Sequence, residues 1–398
     1  MKSSVLIRRT ILLLAILISG GLYIFPREII ALLILILCFV PKGLNTSVHK
    51  EITPAILLLI CIALLYIFRP NSFTSISFIT RYVVFIISLF IFNHYVKIAQ
   101  VTFIKDIYIL LRLMAYQAII TFLLALIVPS LFKDTNYLDA TYRSILYIFT
   151  YHVMRDDPSL LPRPDGFFWE PGVFQLYLNL YLYLCLFVFK NKWQTIIAVI
   201  ATLTTQSTTG VVICLILISY YITIEYINKG TLASRIRKTF VGIAILIPFI
   251  ILTSGNVEDK LYGDMKGSSW AREYDLITGI NVIINNPIIG IGFDYGQYYK
   301  LSRTLGYQDT ALDNSSTIDR GNSNGIIFLF YSVGIPLGLV FLIGLVNQKF
   351  FKHKLLISLI FIISCLSESL IFTPFLLIFI YSGLANLVFR KKTKRLAV

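Results

Sequence analysis

The sequence predicts an all-α protein that crosses a membrane about twelve times. Of its 398 residues, 57% are hydrophobic and the mean hydropathy is +0.80, whereas soluble domains are roughly 45–50% apolar. Apolar runs long enough for a bilayer core of about 30 Å recur along the whole chain. Basic residues are concentrated in every second connection between these runs. We therefore expect one polytopic, integral membrane domain over residues 1–398.

The predicted spans follow the apolar runs in order. They lie near residues 9–25, 27–41, 53–68, 76–93, 107–128, 173–189, 194–205, 210–227, 239–253, 324–346, 354–370 and 371–388. Residues 1–25 lack a small-residue cleavage site, which indicates a first span that is retained. The five cysteines fall inside apolar runs, which favours neither disulfides nor a thiolate metal site.

The basic residues predict the orientation, because Lys and Arg near span ends resist export. With the amino terminus inside, the inner connections carry most of the Lys and Arg, whereas the short outer turns hold only Arg27 and Arg69. Both termini are then cytoplasmic. The formal charge of +15 belongs to this inner face, where it suits anionic lipid headgroups and gives no indication of nucleic-acid binding.

Two large loops, at about 129–172 and 254–323, are predicted on the outer, periplasmic face. They hold 15 of the 20 acidic residues of the chain. Long loops are uncommon and usually functional, so we expect the outer face to carry the activity.

The first large loop ends in a segment rich in Pro and Gly, Leu161–Gly172. It contains Arg163, Asp165, Trp169 and Glu170. A stiff backbone can aim a guanidinium at a phosphate, an indole at a sugar and a carboxylate at a hydroxyl. An interfacial anchor is the alternative, but an anchor needs only the aromatic residue. Arg155 is a further candidate for substrate binding in this loop.

The second large loop contains a stretch with helical spacing of apolar residues, 268–287, with Trp270 and Arg272 near its start. We interpret it as an amphipathic helix at the outer surface; a plain packing helix fits the pattern equally well. The loop then returns to the bilayer through Asp319–Gly325. Arg320, Asn322 and Asn324 are candidates for anion or substrate binding there, although a helix cap by Asn322 or Ser323 is the simpler interpretation.

Three ionisable residues interrupt the predicted spans, where a charge is costly enough to suggest a role. Arg81 lies near an outer end and can reach a phosphate in the outer leaflet. Arg112 lies near an inner end, where its side chain can extend to the headgroups. Glu368 lies near an outer end, where it can pair with an arginine.

The segments of the two large loops, taken in their order along the chain, resemble the O-antigen polymerase and ligase superfamily of bacterial envelope glycosyltransferases. Arg163–Gly172 is similar to that family's Arg and Glu-Pro-Gly segment. Trp270–Arg272 and Asn286–Gly292 are similar to its second-loop signature, and Asn322–Gly338 occupies the place of its last motif.

The resemblance implies transfer of a glycan from undecaprenyl diphosphate onto another lipid-linked unit, at the periplasmic side of the inner membrane. It implies no cofactor and no metal. Arg163, Arg272 and Arg320 would hold the diphosphate, and Glu170 is our candidate base. Lipid-linked donor and acceptor, membrane lipid and a chain-length regulator are the expected partners.

One departure bears on the type of reaction. Ligase-type members resemble one another in a His-Asn pair entering the last outer helix, where this chain has Gly321-Asn322-Ser323-Asn324. This difference favours a polymerase over a ligase. A lipid-oligosaccharide flippase is the rival from another class, but it predicts two similar halves, and no internal repeat is visible. A dolichol-type glycosyltransferase ranks third, because it predicts acids in the first outer loop, which here is only Pro26–Glu28.

Overall fold

The computed structural model describes residues 2–20, 27–39, 49–69, 76–98, 100–137, 140–153, 161–224, 266–305 and 321–389. Over these residues the chain is mostly helical. The helices are α1 (Lys2–Gly20), α2 (Arg27–Phe39), α3 (Thr53–Ile67), α4 (Ile76–Lys97), α5 (Gln100–Ile127), α6 (Pro171–Tyr183), α7 (Lys192–Thr204), α8 (Thr208–Ile222), α9 (Lys266–Asn285), α10 (Tyr295–Leu305), α11 (Gly325–Val346), α12 (Lys354–Ser367) and α13 (Pro374–Val388). A π-helical turn, Leu184–Val188, extends α6.

Helices overlap each predicted span that falls within the described ranges, and the span at 239–253 lies outside them. Among the described residues, five helical stretches are long and apolar enough to cross a membrane, and shorter apolar helices accompany them. The five are Lys50–Ile67, Phe78–Lys97, Gln100–Ile127, Pro171–Val188 and Gly325–Val346. The helical class is therefore confirmed in its coarse form, while the count of twelve spans stays a prediction.

The chain divides into two compact units. The first comprises Met1–Ile107 and Trp270–Ala397, and the second comprises Tyr108–Ser269.

Ion pairs in the first unit join segments that the charge pattern assigns to one side of the membrane. The Nε atoms of Arg8 and Arg9 contact the two carboxylate oxygens of the buried Asp106 at 2.5 and 2.8 Å. Lys349 pairs with Glu51. Each pair connects two segments predicted to be cytoplasmic, so these contacts agree with the predicted alternation of the spans.

Helix α11 is broken a little before its middle, at Gly334, whose φ of 79° and ψ of 165° are not helical. The segment 287–292, which follows α9, lies against the break. Three backbone hydrogen bonds join them: Ile291 N–H to Tyr331 O (2.7 Å), Gly292 N–H to Ser332 O (3.0 Å) and Ile335 N–H to Pro287 O (2.8 Å). A Cβ at Gly334 would lie 2.0 Å from Ile288 O. Only glycine permits this close approach.

Arg69 completes the arrangement from the short turn after α3. Its guanidinium is buried and donates hydrogen bonds to Ile289 O and, at 2.7 Å, to Ser332 O. Burial lowers the pKa of Arg69 to about 10, so the group remains charged at neutral pH. A residue predicted only as an outer-turn charge therefore satisfies carbonyl groups at the broken helix.

A four-stranded antiparallel sheet occupies the first large loop, where we expected no strands. Its strands run in the order β1 (Lys133–Tyr137), β2 (Ala140–Ile145), β3 (Phe149–Val153) and β4 (Arg163–Pro164). The turn between β2 and β3 has positive φ at Leu146 and Tyr147. Turns of this kind favour Asn and Gly, so Leu-Tyr gave no turn signal. The all-α expectation is therefore wrong for this loop.

Close helix packing at Gly383 gives a test of the fold. A Cβ there would lie 1.7 Å from Gly344 O, and small residues allow membrane helices to approach closely. We expect Gly383→Ala to lower the free energy of unfolding by about 1–3 kcal/mol, because the α11–α13 contact is overpacked. The melting temperature of the detergent-solubilised protein measures this effect.

Gly296→Ala is the matched control, because the nearest atom to its new Cβ would be Asp294 Oδ1 at 3.4 Å. Equal melting temperatures for the two variants would contradict the close packing of α11 and α13.

Candidate functional site

The end of the sheet and the start of α6 position the charged residues of the first large loop. Asp165 N–H donates to Thr150 O at 3.0 Å, and Arg163 pairs with His152 across β3 and β4. Gly166 follows at a φ of 65°, where a Cβ would meet the ring of Phe174 at 2.8 Å. The residue pattern on these strands therefore places Arg163, Asp165 and His152 on one face of the sheet.

Arg163, Asp165 and Glu170 form an electrostatic group. Burial lowers the pKa of Arg163, while the two carboxyl groups oppose that shift. The Arg163 Nε–H donates to Thr205 O at 3.4 Å. Glu170 is the residue before α6, and its side chain does not cap that helix. The positive end of the α6 dipole nevertheless favours a carboxylate there.

Asp165 is completely buried, and neither of its carboxyl oxygens has a hydrogen-bond partner among the described residues. Burial raises the pKa of Asp165 well above its usual value, Glu170 raises it further, and Arg163 opposes the shift. Asp165 is therefore suited to be a neutral acid that donates a hydrogen bond, whereas the half-buried Glu170 is the better candidate for a base.

His152 is held neutral beside this group. Burial lowers the pKa of His152 to about 4, and the charge of Arg163 lowers it further. Its ring packs edge to face against Tyr142, with 5.2 Å between the ring centroids. The Tyr142 hydroxyl in turn donates to Trp169 O at 2.8 Å. No role was predicted for His152, which lies in the first large loop, because the strand pairing that aligns it with Arg163 was not predicted.

The second candidate region lies in the first unit, around Asp275 of α9. Both the backbone N–H and the hydroxyl of Ser323 donate to Asp275 Oδ2, at 3.0 and 2.6 Å. Asn322 donates to Asp275 O at 2.6 Å and contacts the Tyr298 hydroxyl at 3.0 Å. Asn324, and not Asn322 or Ser323, caps α11 by accepting from Ile326 N and Ile327 N. The cap therefore lies one or two residues later in the chain than predicted, because Asp275 binds Asn322 and Ser323.

Arg81 lies in the same unit among aromatic rings. Its guanidinium donates to the Tyr295 hydroxyl at 3.0 Å and lies 5.5 Å from the centre of the Phe328 ring. The Tyr295 and Phe328 rings stack with their centroids 6.1 Å apart. A cation held beside aromatic faces is suited to bind a phosphate next to a sugar ring.

The remaining predicted residues have mixed outcomes. Trp270 and Arg272 fall within α9, and the Arg272 side chain is exposed. Glu368 is buried at the end of α12, and Trp169 is exposed. Arg155 and Arg320 lie outside the described residues. The predicted meeting of Arg163 and Glu170 with Arg272 and Arg320 therefore stays a prediction.

Within the described ranges, no group of three or more His, Cys, Asp or Glu residues is arranged to hold a metal ion.

Apolar helices long enough to cross a bilayer, together with charged groups gathered at helix ends and in loops, define a multi-pass membrane protein. Residues 194–342 match the family model described as O-antigen ligase. This match confirms the resemblance to the O-antigen polymerase and ligase superfamily. It includes α9, Asn286–Gly292 and Asn322–Gly338, whereas Arg163–Gly172 precedes it. No curated protein and no solved structure gives a significant match.

The raised pKa of Asp165 predicts a pH dependence of stability. The folded protein holds this proton more tightly than the unfolded chain does, so the contribution of Asp165 to the free energy of unfolding falls as pH rises above about 3.9. Asp165→Asn removes the ionisation and keeps the shape. We expect the melting temperature of the Asn variant, relative to wild type, to increase from about pH 5 to about pH 8. A difference that does not change with pH would show that the buried carboxyl group is not held neutral.

Proposed function

We propose that this protein is a polymerase that joins oligosaccharide repeat units carried on undecaprenyl diphosphate into O-antigen or capsular polysaccharide. The reaction takes place at the periplasmic face of the inner membrane. The observation that carries the proposal is the grouping of Arg163 with Glu170 at the start of an apolar helix, together with the family match over 194–342.

The chemistry requires a base and several positive charges. An acceptor hydroxyl loses its proton to Glu170 and attacks the anomeric carbon of the donor glycan. A new carbon–oxygen bond to the acceptor forms while the bond to the lipid diphosphate breaks. Arg163 stabilises the charge that develops on the leaving diphosphate. This reaction needs no nucleotide sugar and no redox step.

Asp165 has a separate role in this proposal. A fully buried, protonated carboxyl group next to Arg163 can donate a hydrogen bond without adding a negative charge that would repel the diphosphate. The raised pKa of Asp165 favours its neutral form, which does not repel an anionic substrate.

Arg81, Tyr295 and Phe328 provide a substrate-binding element in the first unit. The guanidinium is suited to a phosphate of the lipid carrier and the rings to a sugar face. Arg272 and Arg320 complete the set of cations that we assign to diphosphate binding, with Arg155, Trp169, Trp270, Asn322, Asn324 and Glu368 assigned to substrate contacts.

A ligase of the same superfamily is the second candidate, and the description of the matching family favours it. The segment Gly321–Asn324 favours the polymerase instead, because it lacks the histidine of the ligase-type pair. Asn322 there is bound to Asp275 and Tyr298. The family match gives no support for a flippase.

Deletion of the gene separates these candidates. We expect the surface glycan to change from a ladder of chain lengths to a single repeat on a gel. Full-length polymer retained on its lipid carrier would identify a ligase. Loss of every outward-facing unit would identify a flippase.

Glu170→Gln tests the base. We expect the polymer ladder to collapse toward a single repeat at unchanged protein level, because general-base catalysis typically contributes about 10²–10⁴ in rate. Asp134→Asn is the matched control, since Asp134 is an exposed acid of the same loop. A normal ladder from the Gln variant would remove Glu170 from this role.

Arg163→Ala tests the stabilisation of the diphosphate. Loss of one electrostatic donor typically lowers the rate roughly 100–1,000-fold, so polymer should nearly disappear. Arg112→Ala should retain polymer, because Arg112 lies over the ring of Tyr108 within α5. Quantification of polymer per unit of membrane protein, together with melting temperatures, distinguishes a catalytic loss from misfolding. Equal polymer yields from the two variants would contradict the assignment of Arg163.

A further inference from the structure

The hairpin of β2 and β3 ends in an unusual apolar tip. Five consecutive apolar residues, Ile145–Phe149, form the turn and the adjoining strand ends. Three of them are strongly exposed: Leu146 by 79%, Tyr147 by 48% and Ile148 by 42%. In water, this tip would present a contiguous apolar surface, which is uncommon on a soluble loop.

The exposed ion pair of the same sheet lies two residues before the tip, and Lys133, opposite Ser144, is the charged residue of the sheet nearest to the tip. The register places Asp134 opposite Arg143 and Arg143 opposite Tyr151. Arg143 Nε contacts Asp134 Oδ1 at 2.8 Å, and both side chains are exposed. The sheet therefore has a charged part and, two to four residues further along β2, an apolar end.

Contacts with α5 give the depth of the tip. The side-chain amide of the buried Gln117 donates to Ile148 O. Gln117 lies ten residues before the end of α5 at Ile127, or about 15 Å along the helix axis. A bilayer core is about 30 Å thick. If α5 spans this core, the tip lies near the middle of the membrane.

A second contact confirms the direction of the hairpin. Tyr151 and Phe132 pack with Ala125, close to the end of α5. Ala125 and Gln117 are about 12 Å apart along the axis of α5. Their contact residues on the hairpin, Tyr151 and Ile148, are about 10 Å apart along the strand. The hairpin thus runs along α5 toward the membrane centre.

The residues and backbone contacts of the turn also fit apolar surroundings. Leu146 and Tyr147 have φ values of 52° and 57°, which Asn and Gly adopt with less strain. The chain has large apolar side chains there instead. Polar backbone groups at membrane depth need partners, and Gln117 supplies one for Ile148 O, while Ile148 N–H donates to Ile145 O at 3.1 Å.

We propose that the β2–β3 hairpin is a re-entrant element that inserts beside α5 and presents Leu146, Tyr147 and Ile148 to the hydrocarbon chains of the bilayer. Lipid is the expected occupant because α5 exposes Leu113, Ile120 and Leu123 over the same depth range, as a lipid-facing helix does. The insertion is independent of the proposed polymerase reaction. It anchors the strands that carry His152 and Arg163.

Site-directed labelling tests the insertion in the full-length protein reconstituted in phosphatidylethanolamine–phosphatidylglycerol vesicles. Leu146→Cys is compared with Asp134→Cys, both in a Cys61→Ser background, because the other four cysteines are buried. Reagent is supplied on both sides of the membrane. We expect a charged maleimide to modify Cys at 146 on the order of tenfold more slowly than at 134, because a charged reagent is excluded from hydrocarbon. Denaturation in sodium dodecyl sulfate should abolish the difference, because both positions are then accessible.

A second measurement locates the tip directly. A bimane fluorophore at position 146 should be quenched by lipids with a nitroxide in the acyl chain, and one at 134 should not. Quenching at 146 supports insertion even where labelling yields are low. Fast modification at 146 without acyl-chain quenching would overturn the proposal and place the tip in water. Slow modification without quenching would overturn it by placing the tip against protein.

Discussion

The structure of the first unit depends on the satisfaction of backbone groups where α11 is broken. A break in an apolar helix frees N–H and C=O groups that lipid cannot bind. Here the segment 287–292 supplies backbone partners and Arg69 supplies a guanidinium. Because Gly334 contacts Ile288 without a side chain, the two segments approach within hydrogen-bonding distance. This contact holds the segment after α9 against α11, in the same unit as the contacts of Asp275 with Asn322 and Ser323.

The same requirement shapes the second unit in a different way. Its charged residues are placed on a small sheet, whose strands satisfy one another, rather than on a loop without regular structure. One face of the sheet packs on the end of α5 through Tyr151 and Phe132, and the other carries His152, Arg163 and Asp165. Burial then shifts these groups in different directions: it lowers the pKa of His152, raises the pKa of Asp165, and lowers the pKa of Arg163 against the opposing effect of two carboxyl groups. Two carboxyl groups five residues apart therefore differ in their suitability as a base.

Sequence patterns predicted the helices well, because a bilayer demands long apolar runs and leaves little freedom in where they begin and end. The end of α9 before Pro287 was also predictable, since proline cannot continue the helix. The sheet was not. Its tight turn uses Leu146 and Tyr147 where turn signals need Asn or Gly, and β4 has only two residues. The cap of α11 was misplaced for a related reason: Asn322 and Ser323 bind Asp275, which is 47 and 48 residues away in the chain, and no local pattern reports such a contact.

The sequence by itself determined that this protein is a mostly helical membrane protein, where its apolar helices lie, and which superfamily its loop motifs resemble. These properties depend on local hydrophobicity and on residue order, both of which can be read along the chain. Only the tertiary structure decided that Arg69 binds at the broken helix, that Asp165 is buried with a raised pKa, and that an apolar hairpin lies against α5. Those outcomes depend on burial and on partners distant in sequence, because a side chain's pKa and hydrogen bonding follow from its surroundings after folding.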